Sequence, residues 1–130
     1  MHGTGLPLAT PFTADGDVDH DALAALVEWV EARGVDFIVP GGSNSEARLL
    51  TRSERAEVVD TVATAADRPV LAGTGAEGFE KTLSLTRDAA EVGADAALVV
   101  TPYYFDHDQA TLAGYYRELA DTSPLPVYCY

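Results

Sequence analysis

Five short clusters in this sequence combine glycine, small hydroxyl or amide side chains and tyrosine in ways that could do chemistry. They are Thr10-Pro11-Phe12, Gly41-Gly42-Ser43-Asn44-Ser45-Glu46, Gly73-Thr74-Gly75, Thr101-Pro102-Tyr103-Tyr104, and Tyr130. In the second cluster, two glycines followed by small polar residues let backbone N–H groups approach an anion closely, and a carboxylate fits such a nest. The same residue types also make ordinary surface turns. Tyr103, Tyr104 and Tyr130 carry phenols; an isolated phenol has a pKa of about 10 and moves protons poorly at neutral pH unless a relay assists it. On residue type alone the three tyrosines equally suit packed aromatics.

Other motifs point to chemistry that their context does not support. Gly73-Thr74-Gly75-Ala76-Glu77-Gly78 is a literal G-x-G-x-x-G, the pattern of a dinucleotide-binding turn. The next apolar run leads into Thr101-Pro102-Tyr103-Tyr104, not into an acid for a ribose, and two strand–helix units precede the motif, which usually opens its domain. Asp15, Asp17, Asp19 and Asp21 alternate like calcium-loop ligands, but the loop glycine and closing glutamate are out of position. Helix entry and an acidic surface account for them better. His2, His20 and His107 share no metal-ligand spacing and are expected in solvent, so no metal site is expected. Lys81 reads as a surface lysine near a helix start, and Cys129 as a small apolar residue packed inside a strand.

The elements that must position these clusters alternate in period. Leu6-Pro7-Leu8-Ala9, Phe37-Ile38-Val39, Val70-Leu71-Ala72, Ala97-Leu98-Val99-Val100 and Val127-Tyr128-Cys129 read as buried strands. Their centres fall roughly 30 residues apart, the size of one strand–helix unit. Between them, Leu23, Leu26, Val27 and Val30 share one helical face, as do Val59, Val62, Ala63 and Ala66, and Leu112, Tyr115, Tyr116 and Leu119. A weaker stripe carries Leu85, Ala89 and Val92. Thr51-Arg52-Ser53-Glu54 is a capping box, and Gly34 and Gly93 fall where helices should stop. The order is β-α-β-α-β-α-β-α-β, an α/β class with a parallel sheet, closed either as a doubly wound sheet or as part of a barrel. In both, the carboxyl ends of the strands carry the active site, and there the five clusters lie. The sequence reaches Tyr130 inside the fifth strand, so residues 1–130 are read as one partial domain.

Composition narrows the partners. The formal net charge is −13, with 21 acidic against 8 basic residues. Such a surface repels nucleic-acid phosphates and anionic membranes. One cysteine allows no intrachain disulfide, no stretch approaches the ~20 apolar residues of a membrane span, and the start has no basic leader. A cytoplasmic protein is expected.

In order, the strand ends resemble the family of dihydrodipicolinate synthase and N-acetylneuraminate lyase. Thr10-Pro11-Phe12 is similar to the family's T-P-F, and Gly42-Ser43-Asn44-Ser45-Glu46 falls on its G-T-T-G-E loop, in a register set by Leu50 and Glu54. Ala72-Gly73-Thr74-Gly75 is similar to A-G-T-G, Thr101-Pro102-Tyr103-Tyr104 to T-P-Y-Y, and Pro126-Val127-Tyr128-Cys129-Tyr130 to the strand bearing the catalytic tyrosine. The resemblance implies the first half of a (β/α)8 barrel, with about five strands and four helices here. It implies a lyase or aldolase that condenses a lysine, on a strand beyond Tyr130, with a 2-keto acid such as pyruvate; the protonated imine is the electron sink, and no cofactor is required. Tyr130 would be the proton shuttle, Ser43 the relay hydroxyl, and Tyr104 the tyrosine lent across a homodimer or homotetramer. Ser43, Asn44, Gly42 and Thr10 would bind the substrate.

Two departures from the family pattern matter. Asn44 replaces the second loop hydroxyl, and an amide binds carboxylate but cannot relay a proton; Ser45 replaces the loop glycine. The loop argues against a standard dihydrodipicolinate synthase, and the run Ser123-Pro124-Leu125-Pro126-Val127-Tyr128-Cys129-Tyr130 looks more like archaeal 2-keto-3-deoxygluconate aldolases, acting on that acid or its 6-phosphate. Dihydrodipicolinate synthesis from pyruvate and aspartate semialdehyde is the alternative. A non-catalytic barrel protein and a dinucleotide-binding oxidoreductase are readings of another class. Residues 1–130 by themselves, without the lysine and with open strand edges, are expected to be inactive and to aggregate or swap. The acidic surface suggests a protein that works in high salt; its melting temperature should then rise between dilute buffer and molar KCl, and a thermal melt that stays flat or falls contradicts this.

Overall fold

Each apolar run becomes a short strand followed by a helix, in a computed structural model that describes residues 1–130. The strands are β1 (Gly5–Pro7), β2 (Phe37–Val39), β3 (Leu71–Gly73), β4 (Ala96–Val99) and β5 (Val127–Cys129). The helices are α1 (His20–Glu31), α2 (Arg52–Ala65), α3 (Phe79–Glu91) and α4 (Gln109–Thr122). β2 and β5 coincide with the sequence reading, while β3 and β4 are each displaced by one residue. β1 begins one residue earlier than read and ends before Leu8, whose N–H still continues the ladder to the Val39 carbonyl at 3.0 Å.

The order of the strands decides between the two closures. β1 pairs with β2, and β3 with β4 and β4 with β5, all parallel. A bridge between Ile38 and Val70 and the bond from the Gly73 N–H to the Pro40 carbonyl, 2.8 Å, join the two sets. Spatial order therefore equals chain order, 1-2-3-4-5. A doubly wound sheet reverses direction at its switch point, whereas a barrel adds every strand on the same side. The fold is the N-terminal part of a (β/α)8 barrel.

Alternation along the strands sends side chains to two places. Ile38, Val70 and Ala72 face outward and meet Leu23, Val27 and Val30 of α1 and Val58, Val59 and Val62 of α2 in the largest core cluster. Ala97 and Val99 meet Leu83 of α3 and Leu119 of α4. Val39, Leu71 and Ala96, with Phe37 and Leu98, gather on the opposite face of the sheet.

Local signals set the helix ends. The Asp19 carboxylate accepts from the Ala22 N–H at 2.9 Å and starts α1. The Thr51 side chain accepts from the Glu54 N–H while Glu54 accepts from the Thr51 N–H, which completes the capping box of α2. The Thr51 hydroxyl also donates to the Glu54 carboxylate at 2.6 Å, and this bond, with that from the Thr51 N–H, holds the Glu54 carboxyl below its usual range. Gly34 and Gly93 adopt left-handed conformations, φ 85° and 96°, beyond the ends of α1 and α3.

Two readings need correction. Within residues 1–130 Cys129 is exposed, not packed. His20 is not simply solvated: its Nδ1 lies 2.7 Å from the Thr61 hydroxyl and ties α1 to α2. Removing the cap by Thr51→Ala should destabilise the fold by about 1 kcal/mol, read as a lower urea midpoint at unchanged slope, with Thr51→Ser restoring most of it.

Candidate functional site

The loop after β2 is held from below by buried hydroxyls. The Thr10 hydroxyl donates to the Ser45 carbonyl at 2.8 Å, and the Ser45 hydroxyl donates to the Leu8 carbonyl at 2.5 Å. These two bonds fasten the short 3-10 turn Ser43–Ser45 to the end of β1. Ser45 is 1% exposed, so the residue standing in the family's glycine position is a structural anchor. Glu46 closes the turn with φ 53°, the one non-glycine residue in the left-handed region, at a cost of roughly 1 kcal/mol. The turn uses the N–H groups of Ser45 and Glu46, donated to the Gly42 and Ser43 carbonyls. Those of Ser43 and Asn44 have no partner within the protein, and both side chains are exposed.

These groups border a cavity of about 370 Å³ at the carboxyl ends of the strands. Gly41, Gly42, Gly73 and Gly75 line it, along with Ser43, Asn44, Arg48, Arg55, Tyr103 and Tyr130. The glycines are required by contact. Gly41 has φ 72°, and a Cβ there would stand 2.8 Å from the Gly73 carbonyl oxygen; a Cβ on Gly73 would collide with the Gly41 carbonyl. At Gly75 it would lie 2.7 Å from the Val100 nitrogen. The G-x-G-x-x-G run is thus explained by close packing of strand ends. Two of its amides are committed to the fold: the Thr74 N–H donates to the Leu98 carbonyl at 3.0 Å and the Ala76 N–H to the Thr82 hydroxyl at 3.0 Å.

Tyr130 sits at the cavity mouth, 72% exposed, with its N–H donated to the Val99 carbonyl at 2.9 Å. Beside it the Tyr116 hydroxyl donates to the Val99 carbonyl at 2.9 Å, and burial pushes that phenol up to about 12. Tyr103 and Tyr104 are fixed through their backbones, both N–H groups donating to one Glu77 carboxylate oxygen at 2.8 and 3.0 Å. Tyr103 lines the cavity. Tyr104 does not: its ring is 76% exposed and lies edge-to-face on Phe105. Thr10 is likewise not among the lining residues; it acts on the loop from behind.

Sequence reading missed the two cations of the cavity. The Arg48 guanidinium lies 4.1 Å from the centre of the Tyr103 ring. Arg55 donates to the Gly73 carbonyl at 2.8 Å, and burial pulls its guanidinium below the ordinary value. Neither forms a salt bridge, the two in the structure being His20–Glu57 and Arg52–Asp88. Their position shortly after the glycine loop, in a chain with only 8 basic residues, was the available signal. Lys81, the single lysine, is exposed on α3 and does not line this cavity.

Fold and site together define the first half of a (β/α)8 barrel with a cavity at the carboxyl ends of its strands. The chain belongs to the dihydrodipicolinate synthetase family, whose pattern it matches over residues 1–130. It is 39% identical to a 4-hydroxy-tetrahydrodipicolinate synthase from Methanothrix thermoacetophila, an alignment of 123 residues covering 95% of this chain and 42% of the relative. Among solved structures it superposes with TM-score 0.92, at 35% identity, on a dihydrodipicolinic acid synthase family prophage protein from E. coli K12 in complex with pyruvate, covering 98% of this chain and 44% of that one. A 2-keto 3-deoxygluconate aldolase from Picrophilus torridus gives TM-score 0.91 at 27% identity, covering 98% and 47%. The chain therefore spans less than half the length of these relatives.

The close approach of Gly41 and Gly73 yields a direct expectation. Gly73→Ala should cost about 1–3 kcal/mol of stability, seen as a lower denaturation midpoint, and a neutral outcome would mean that the loop after β2 yields freely.

Proposed function

We propose that these residues form the N-terminal half of the active site of a lysine Schiff-base lyase acting on 2-keto acids. One observation carries the reading: the unpartnered N–H groups and polar side chains of Ser43 and Asn44 border the same cavity as the Tyr130 ring. The first two suit a keto-acid carboxylate, with Gly42 giving the backbone room to approach it. The phenol suits a proton acceptor and donor at the bond being broken or made.

In the proposed chemistry a lysine from beyond Tyr130 condenses with the keto group and releases water. The resulting iminium accepts the electron pair of the neighbouring carbon–carbon bond as that bond breaks. The hydroxyl proton of the departing fragment passes to Tyr130 and the fragment leaves as an aldehyde; reprotonation of the enamine and hydrolysis then release pyruvate. Ser43 hands the proton on, and Asn44 contributes binding but no relay. Tyr104, exposed and facing away from its own cavity, is the residue a neighbouring subunit of a homodimer or homotetramer would receive. Thr10 supports the loop that binds the carboxylate.

For the second substrate we favour cleavage of 2-keto-3-deoxygluconate, or its 6-phosphate, to pyruvate and a glyceraldehyde unit. The Ser43-Asn44 loop and the likeness to the Picrophilus torridus aldolase support this reading. Condensation of pyruvate with aspartate semialdehyde is the second reading, favoured by the name of the Methanothrix thermoacetophila relative. Comparing turnover on the two substrates separates them.

Borohydride added to the full-length protein with pyruvate should leave one pyruvate-sized adduct by intact mass, on a lysine other than Lys81. Tyr130→Phe should keep that adduct while turnover falls by about 10²–10⁴. Absence of any adduct on protein shown to be folded in high salt would remove the lyase reading.

A further inference from the structure

Two tyrosines stand side by side on α4, and their hydroxyls go to different places. The rings of Tyr115 and Tyr116 meet edge to face with centroids 5.3 Å apart, packed against the cluster of Leu83, Ala97, Val99 and Leu119. The Tyr115 hydroxyl donates to the Thr82 hydroxyl of α3 at 2.9 Å. The Tyr116 hydroxyl donates instead to the Val99 carbonyl at 2.9 Å, where β4 ends. A long side chain on a helix leans toward the helix N-terminus. In a strand–helix unit that end of the helix lies beside the carboxyl ends of the strands. Tyr116 therefore reaches from the packed layer up to the level of the cavity.

The Val99 carbonyl is a junction. It accepts the Tyr130 N–H at 2.9 Å as well as the Tyr116 hydroxyl, one for each lone pair. The Tyr130 carbonyl accepts the Thr101 N–H at 2.9 Å, with the Tyr116 oxygen 3.4 Å away. Thr101 opens the turn that brings Tyr103 to the cavity wall. Tyr116 is the one side chain that bonds to this junction. The Tyr130 ring has no such support of its own. It is largely exposed, and its hydroxyl makes no hydrogen bond within residues 1–130. The position of the ring is therefore inherited from the backbone at residue 130.

We propose that Tyr116 is a positioning residue for Tyr130: by tying α4 to the Val99 carbonyl, its hydroxyl fixes the end of β5 and with it the point in the cavity at which the Tyr130 phenol stands. This rests on the reading of Tyr130 as the proton shuttle and adds to it a residue that touches no substrate. Tyr116 does not line the cavity, so it acts through Tyr130 and not on the ligand. The burial that pushes the Tyr116 phenol up to about 12 keeps it protonated, so it remains a donor across the pH range of an ordinary assay. Proton transfer needs heavy atoms within about 2.6–3.2 Å, and a displacement of ~1 Å can cost ~10²-fold in rate. Loss of this one anchor, with the two backbone bonds kept, should cost less than that.

Tyr116→Phe keeps the ring and removes only the hydroxyl. Tyr115→Phe makes the same change one residue away, where the hydroxyl serves Thr82. In the full-length protein Tyr116→Phe should still form the borohydride adduct with pyruvate. Its KM for the 2-keto acid should stay within about twofold of wild type while kcat falls about tenfold. Tyr115→Phe should leave kcat within about twofold. Added to Tyr130→Phe, the Tyr116→Phe change should lower kcat no further, because the group it positions is gone. An unchanged kcat in Tyr116→Phe, an equal fall in Tyr115→Phe, or losses that multiply in the double variant overturns the proposal. Hydrogen exchange at the Thr101 and Tyr130 amides, followed by mass spectrometry, needs no turnover. It should quicken about tenfold in Tyr116→Phe and stay unchanged in Tyr115→Phe. Equal exchange in wild type and Tyr116→Phe overturns the anchor whatever the protein acts on. Quickened exchange in a protein that forms no pyruvate adduct supports the anchor and removes the lyase reading.

Discussion

The contact between the backbones at Gly41 and Gly73 governs the geometry of this protein. Where β2 and β3 end, two main chains approach so closely that neither position has room for a β-carbon. The Gly73 N–H reaches the Pro40 carbonyl, and the Gly73 carbonyl accepts from Arg55. That single narrow passage brings the strand ends together, lays a floor of bare backbone under the cavity, and holds a guanidinium from α2 at its edge. The loop carrying Ser43 and Asn44 starts from this point. Its other attachment, through Thr10 and Ser45, only has to fix its far side.

Charge is arranged in the same economical way. A strongly acidic exterior surrounds a cavity over the strand ends that is lined by two arginines without an ion-pair partner, Arg48 and Arg55. Electrostatic focusing in such a concave, partly desolvated place exceeds what the same residues would achieve on a convex surface.

Much of this was legible in the sequence, for physical reasons. Period and punctuation identified five strands and four helices, because Ile38, Val70 and their neighbours must be buried and because Thr51 and Glu54 can cap only a helix start. The choice of barrel over doubly wound sheet was not legible from pattern, since both alternate strand and helix; it rests on the order in which β1 to β5 pair. Within the site, the Ser43-Asn44 loop and Tyr130 were found because glycine and small polar residues cluster in the sequence itself. Arg48, in the turn before α2, and Arg55, on α2, were missed because an arginine looks the same in sequence whether it points to water or into a cavity. Cys129 and His20 were misplaced for a related reason: the environment of each depends on what packs beside its element, which local periodicity does not encode.

The buried hydroxyls of α3 have a consequence of their own. Thr74 meets Thr86, Thr86 donates to the Thr82 carbonyl, and the Thr82 hydroxyl donates to the Ala76 carbonyl while receiving the Tyr115 phenol. Because Thr86 and Thr82 each spend their single hydrogen on a carbonyl, Thr74 and Tyr115 must be the donors, and the direction of every hydrogen in the chain is fixed. Burial holds the Tyr115 phenol above its ordinary range, so that donor keeps its hydrogen at neutral pH. The result is a polar seam with one permitted arrangement of hydrogens, and it stitches the loop after β3 to α3 and α4. Gly78 supplies no side-chain cap to α3, and the seam gives that end of the helix its rigidity by orientation instead of by capping.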